Sequence, residues 1–211
     1  MQVNDIDKIT LEARKAYRFL FEYQAHILDL MKFIQSSYGL KYIGGYSMFS
    51  NSTPQRGKGN LDNWSWDWLN MYFYQFAFYY DEDKSEETGK FFSVFLINDT
   101  GYYESLFADK IDNLNECRLE IESFENVEKS QTRLIFVANK DKWKTQEYWQ
   151  SKDIIFNYDG NFIPYTGGAI CHKSYSLSNF TNQDLALEQL SDFSIFCQKY
   201  GIDGIKIKDN E

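Results

Sequence analysis

The sequence predicts an α+β fold, a single domain over residues 1–211 in which a mainly antiparallel sheet is packed by a long N-terminal helix and a C-terminal helix. Three observations carry that expectation. An apolar three-four periodicity runs through residues 5–38, several consecutive strand-like segments follow it, and a second helical periodicity closes the chain. Strands and helices do not alternate regularly, which argues against a doubly wound parallel sheet.

The first helix is the plainest element. Ile6, Ile9, Ala13, Ala16, Leu20, Tyr23, Ile27, Leu30 and Ile34 fall alternately three and four residues apart, with Asn4 placed to cap the start and Gly39 to end it. Tyr17, Phe21, Leu28 and Met31 form a second line that widens the stripe. A stripe this wide fits packing across a sheet. Its strict heptad spacing leaves dimerisation through residues 5–38 as the other reading.

Residues 39–60, with paired glycines and a proline, read as a loop. Next comes NLDNWSWDWLNMYFYQFAFYY, in which Trp64, Trp66 and Trp68 lead into a segment from Leu69 to Tyr80 that is apolar on both alternating faces. Such a strand needs cover on both sides, so burial of the tryptophans is expected. KFFSVFLIN (90–98), CRLEIESFE (117–125) and TRLIFVAN (132–139) have strand length and strand residue types, and a meander is the simplest way to join them. GYYESLFADKIDNL between the first two reads as a short amphipathic helix. Asp159-Gly160 between apolar-rich segments signals a hairpin turn. A helix from Asn182 to Tyr200 buries Ala186, Leu190, Phe193, Cys197 and Tyr200 and stops at Gly201, after which GIKIK has the alternation of an edge strand.

Composition narrows the function classes. Aromatic residues make up 18% of the chain, so its core is built from rings, and that argues against disorder. MQVNDIDKIT lacks the pattern of a secretory leader and no apolar run approaches membrane-spanning length, so the expected location is cytoplasmic with no membrane contact. Cys117, Cys171 and Cys197 are scattered and there are two histidines, a set that gives no metal-ligand spacing and calls for no cofactor. Cys171-His172 looks like a nucleophile and its base, but neighbours on an extended segment point to opposite faces, so no catalytic residue is assigned.

Charge is distributed unevenly. Between Asp81 and Glu128 there are fourteen acidic and four basic residues, a local net of −10 in a chain whose total is −9. If these acids cluster, they attract a basic protein and repel nucleic acid. The resulting expectation is an interaction module that neutralises a basic partner, a toxin for example, as an inhibitor or immunity protein does. Glu104, Glu116, Glu120 and Glu122 would supply the charge, and Tyr102, Tyr103 and Phe107 the apolar anchors. The alternative is a nucleotide- or nucleic-acid-binding enzyme or sensor, using Arg56 and Lys58 in a glycine-containing loop and the aromatic-interleaved patch from Lys140 to Trp149, with Lys140, Lys142, Trp143 and Lys144 as its phosphate-binding residues.

Overall fold

The computed structural model describes residues 3–47, 73–79, 91–101, 124–141 and 152–208. Helix α1 spans Val3–Tyr38 and is followed by strands β1 (Lys41–Ser47), β2 (Phe73–Tyr79), β3 (Phe91–Ile97) and β4 (Arg133–Asp141). A one-turn helix, α2 (Lys152–Ile155), precedes the hairpin of β5 (Asn161–Tyr165) and β6 (Gly168–Ser176). A 3₁₀ turn over Leu177–Phe180 leads into helix α3 (Gln183–Lys199). The strands form one six-stranded sheet in the order β1-β2-β3-β4-β6-β5, with every neighbouring pair antiparallel. The α+β class expected from the sequence is the observed one.

The sheet has one face under α1 and α3. Phe76, Phe78, Phe92, Val94, Leu96, Leu134, Phe136, Ala138, Cys171 and Tyr175 line that face and meet Ile27, Met31, Ile34 and Tyr38 of α1 and Leu190, Phe193 and Cys197 of α3. Phe136 sits among four rings, those of Phe92, Tyr175, Phe180 and Phe193, at centroid distances of 5.0 to 5.8 Å and tilted or edge-on angles that the ring quadrupoles favour. The Tyr38 hydroxyl donates 2.7 Å to the Leu190 carbonyl and ties the two helices together. Burial pushes that phenol well above its ordinary pKa. The opposite face is buried as well, since Ile135, Val137, Phe95 and Ile97 are each fully covered. β2 follows the same rule from Gln75 to Phe78, in agreement with the two-sided cover its sequence requires.

Helix ends follow local chemistry. Asn182 caps α3 by accepting from the Leu185 amide at 2.9 Å, and Gly201 takes the positive φ of 74° that closes it. Gly39 ends α1 at φ 64°. The Lys208 side chain crosses Gly39 here and can swing aside, so it is the positive φ that favours glycine at this position.

Four local expectations change. Residues 41–47 form an edge strand where a loop was expected, because the ring of Tyr74 occupies the space a Cβ at Gly45 would need and the pairing register shifts between Tyr42 and Gly44. The hairpin turn is Thr166-Gly167, with Gly167 at φ 90°, and not Asp159-Gly160. Gly160 does take a positive φ of 81°, but it joins the α2 loop to β5, and Ile154 and Ile155 are helical rather than extended. Pro164 is tolerated because β5 is an edge strand. GIKIK adds no strand: Ile202 and Ile205 are buried, and the Lys208 amide donates to the Ser37 carbonyl at 2.8 Å, sealing the end of α1. Asn4 lies inside α1 and does not cap it. The tryptophan segment, residues 102–123 of the expected amphipathic helix and strand, and Cys117 lie outside the described residues.

Phe136→Ala is expected to destabilise the fold by about 3–5 kcal/mol in urea unfolding, because it opens a cavity among four rings. A loss below about 1 kcal/mol would mean that this cluster is not the centre of the core.

Candidate functional site

The candidate site is an apolar surface carried by α1. Its 36 residues make a rod of about 54 Å, whereas a seven-residue strand spans about 23 Å. The C-terminal half is seated on the sheet, with Ile27, Met31, Ile34 and Tyr38 buried at helical spacing. Toward the N-terminus the contact ends: every residue from Ile6 to Glu22 is exposed. This projecting arm carries Tyr17, Phe19 and Phe21 at 73%, 67% and 77% exposure, and Ile6, Ile9 and Leu20 at about half exposure. Its apolar stripe is the same stripe that Ile27 and Ile34 bury farther along, because the 3.6-residue period keeps positions three and four apart on one face.

An apolar cleft of about 520 Å³ opens at the base of the arm, between α1 and the start of α3. Tyr23, Ile27, Leu30, Phe33, Phe180 and Ala186 line it. Phe19 stacks on Tyr23 at a centroid distance of 6.5 Å, which makes the arm and the cleft one continuous surface. The Tyr23 hydroxyl donates 2.6 Å to Asn98 Oδ1, and burial pushes this phenol up to about 12. This bond ties the base of the arm to the residue that follows β3.

A second, polar cleft of about 510 Å³ lies at the open edge of β6, past the end of β5. Asn161 is the first β5 residue and pairs with His172, so Lys173–Ser176 keep β4 on one side and, among the described residues, have no strand on the β5 side. Asp192 of α3 accepts from Tyr175 Oη at 2.7 Å and pairs with Lys173 Nζ at 2.7 Å. Burial, and next Asp192, raise the Tyr175 phenol far above its ordinary range, so it serves as a donor and not as a base. Arg133 is fully buried beside this cleft. Its Nε donates to the Ile155 carbonyl at 3.1 Å and to Ser174 Oγ at 2.9 Å, its Nη1 donates to Gln131 Oε1 at 2.9 Å, and its guanidinium lies 4.2 Å from the Tyr158 ring centre. Nη2 is buried without a partner among the described residues. These contacts pin α2 to the sheet. Desolvation lowers the Arg133 pKa, against the pull of Tyr158.

Among the described residues, the thiols of Cys171 and Cys197 and the buried imidazole of His172 do not form a nucleophile–base pair. Cys171 faces the helix-covered core and His172 the opposite face of β6, as the alternation of a strand requires. Both His172 ring nitrogens are buried without partners among the described residues, and burial pulls its pKa down to about 4. Cys171 and Cys197 are free, buried thiols, and burial drives Cys197 far above the thiolate range.

Of the residues assigned from sequence, Lys140 alone is described; it is exposed near the end of β4. Glu104, Glu116, Glu120, Glu122, Tyr102, Tyr103, Phe107, Arg56, Lys58, Lys142, Trp143 and Lys144 all lie outside the described residues. Arg133, one of the chain's basic residues, is an interior residue. The arm was missed because its stripe was given to the sheet along its whole length. Comparing helix length with strand length is the signal that would have found it.

The model of the PM0109 family matches residues 3–201, and the chain belongs to that family. No curated protein and no solved structure matches the chain. Among the described residues no helix is long and apolar enough to cross a membrane, and no group of three or more metal-ligating side chains occurs.

The depressed pKa of His172 makes stability fall with acid. The unfolded imidazole takes up a proton near pH 6.5 and the folded one only near 4, so the unfolded state gains protons, and stability is lost, as pH falls from about 6.5 to about 4. Urea unfolding across that window is expected to show a loss several-fold steeper for the wild type than for His172→Gln, the difference reaching a few kcal/mol. Parallel pH profiles would mean that His172 binds its proton equally well in the folded and unfolded states.

Proposed function

We propose that this PM0109-family protein is a cytosolic protein-binding module that docks a basic partner and masks it, as an inhibitor or immunity protein does. The observation that carries this reading is the α1 arm, whose apolar side chains stand exposed, Phe21 most of all at 77%, and exposed rings of this kind mark sites of protein association. Phe21 and Leu28 lie beside the main stripe on a second exposed line, which gives a partner aromatic and aliphatic anchors. The charges on α1 are balanced, five acids against five bases, so the arm does not select a partner by charge. The stretch from Asp81 to Glu128, with its local net of −10, supplies that selection. In this reading Glu104, Glu116, Glu120 and Glu122 steer the encounter while Tyr102, Tyr103 and Phe107 add apolar contact.

The test compares the wild type with Phe21→Ser/Leu28→Ser and with Glu116→Lys/Glu120→Lys/Glu122→Lys in capture from the native host, followed by association kinetics on the captured protein. The serine pair is expected to lower affinity at least about tenfold, and the lysine triple to slow association several-fold and weaken its salt dependence. Unchanged affinity in the serine pair, together with unchanged association in the lysine triple, would overturn the reading.

A further inference from the structure

The stripe of the arm and its second line are separate surfaces, and the stripe points to its own occupant. In heptad terms Ile6, Ala13, Leu20 and Ile27 take one seam position, and Ile9, Ala16, Tyr23 and Leu30 the other. The spacing has no break where the helix leaves the sheet, so the exposed part of the stripe is built as a helix seam.

We infer that the stripe of the arm is covered by the arm of a second copy of this chain running antiparallel, with Ala13 of each copy opposite Ala16 of the other. The reading of α1 as a docking surface is its premise. The fold decides the orientation. Past Tyr23 the stripe faces the molecule's own sheet, so in a parallel pair both sheets would have to occupy the gap between two helices whose axes lie roughly 8–10 Å apart. Antiparallel pairing puts the two bodies at opposite ends of the seam, and the collision disappears.

The body also sets the register. An arm can slide along its partner only until its N-terminal tip meets the partner's sheet, where Ile27 becomes buried. The longest overlap short of that point puts Ile9 opposite Leu20, Ala13 opposite Ala16 and Ile6 opposite Tyr23, which brings each tip to the mouth of the other copy's apolar cleft. The alanine layers let the helices approach closely, and Tyr17 and Phe19, which flank the seam on either side, cover those layers. With the exposures given above and Phe21 left on the second line, each arm offers on the order of 550 Å² along the seam, about two thirds of the roughly 800 Å² per partner of a stable interface.

Sedimentation velocity over a concentration series, from low micromolar to near-millimolar protein, tests the inference on the purified full chain. The wild type is expected to run as an elongated dimer and Leu20→Glu as a folded monomer, since position 20 is exposed and its change leaves the core intact. A wild type that stays monomeric throughout overturns the proposal, as does a Leu20→Glu dimer as stable as the wild type. Orientation is read from oxidative cross-linking in a Cys117→Ser background. A chain carrying Ala13→Cys mixed with a tagged chain carrying Ala16→Cys should give the mixed disulfide faster than either like pair. Dominance of the like pairs would mean a parallel seam and overturn the arrangement. The two readings fail separately: a monomer that still loses its partner on Phe21→Ser/Leu28→Ser removes only the second copy. A dimer whose partner affinity ignores those changes, and whose association ignores the lysine triple, removes only the docking reading.

Discussion

A helix can bury only as much of its stripe as there is surface beneath it, and the 36-residue α1 is longer than its seat on the sheet. That mismatch governs the candidate site. Ile27, Met31, Ile34 and Tyr38 gain burial against β2–β4 and α3, while the same face from Ile6 to Leu20 gains none. An isolated helical stretch of about this length is marginal in water, since propagation barely outweighs nucleation. Exposed rings on it gain stability only when another surface covers them.

The seat itself is firm because the sheet core is aromatic and two-sided. On the helix face Phe136 and Phe92 pack against each other and both against Phe193 of α3, so the strands and α3 share one ring cluster. Tyr38 joins α1 to it through the edge of Phe92 and through the Leu190 carbonyl. The other face mixes apolar residues with buried polar ones, and Arg133 uses two bonds from Nε to hold α2 and the β6 edge. Gln75 donating 3.0 Å to Ser93 Oγ satisfies another pair there. His172 is held neutral by burial in the same layer, so acid weakens the fold through it.

Elements whose pattern is purely local were legible in the sequence. The three-four spacing of α1, the Asn182 cap and Gly201 stop of α3, and the two-sided apolar runs of β2, β3 and β4 each follow from neighbours a few residues away. What failed depended on distant partners. Gly44 and Gly45 resemble a loop unless Tyr74 is known to lie across them, and GIKIK alternates like a strand although its partner is the end of α1. The hairpin moved seven residues because two glycines, Gly160 and Gly167, both offer positive φ and only strand pairing chooses between them. For the site, the stripe was readable and its length was readable. Where the sheet would stop beneath it was not, because sheet width is set by six strands drawn from across the chain.

The central claim is that the α1 arm is held by another chain and its seat by this one. Hydrogen exchange of backbone amides, followed at several protein concentrations, separates the two most directly. Protection from Ile6 to Glu22 should rise with concentration, while protection from Ile27 to Tyr38 should stay fixed. Equal protection of both segments at every concentration would mean that the arm is stabilised within its own chain, and would contradict the account.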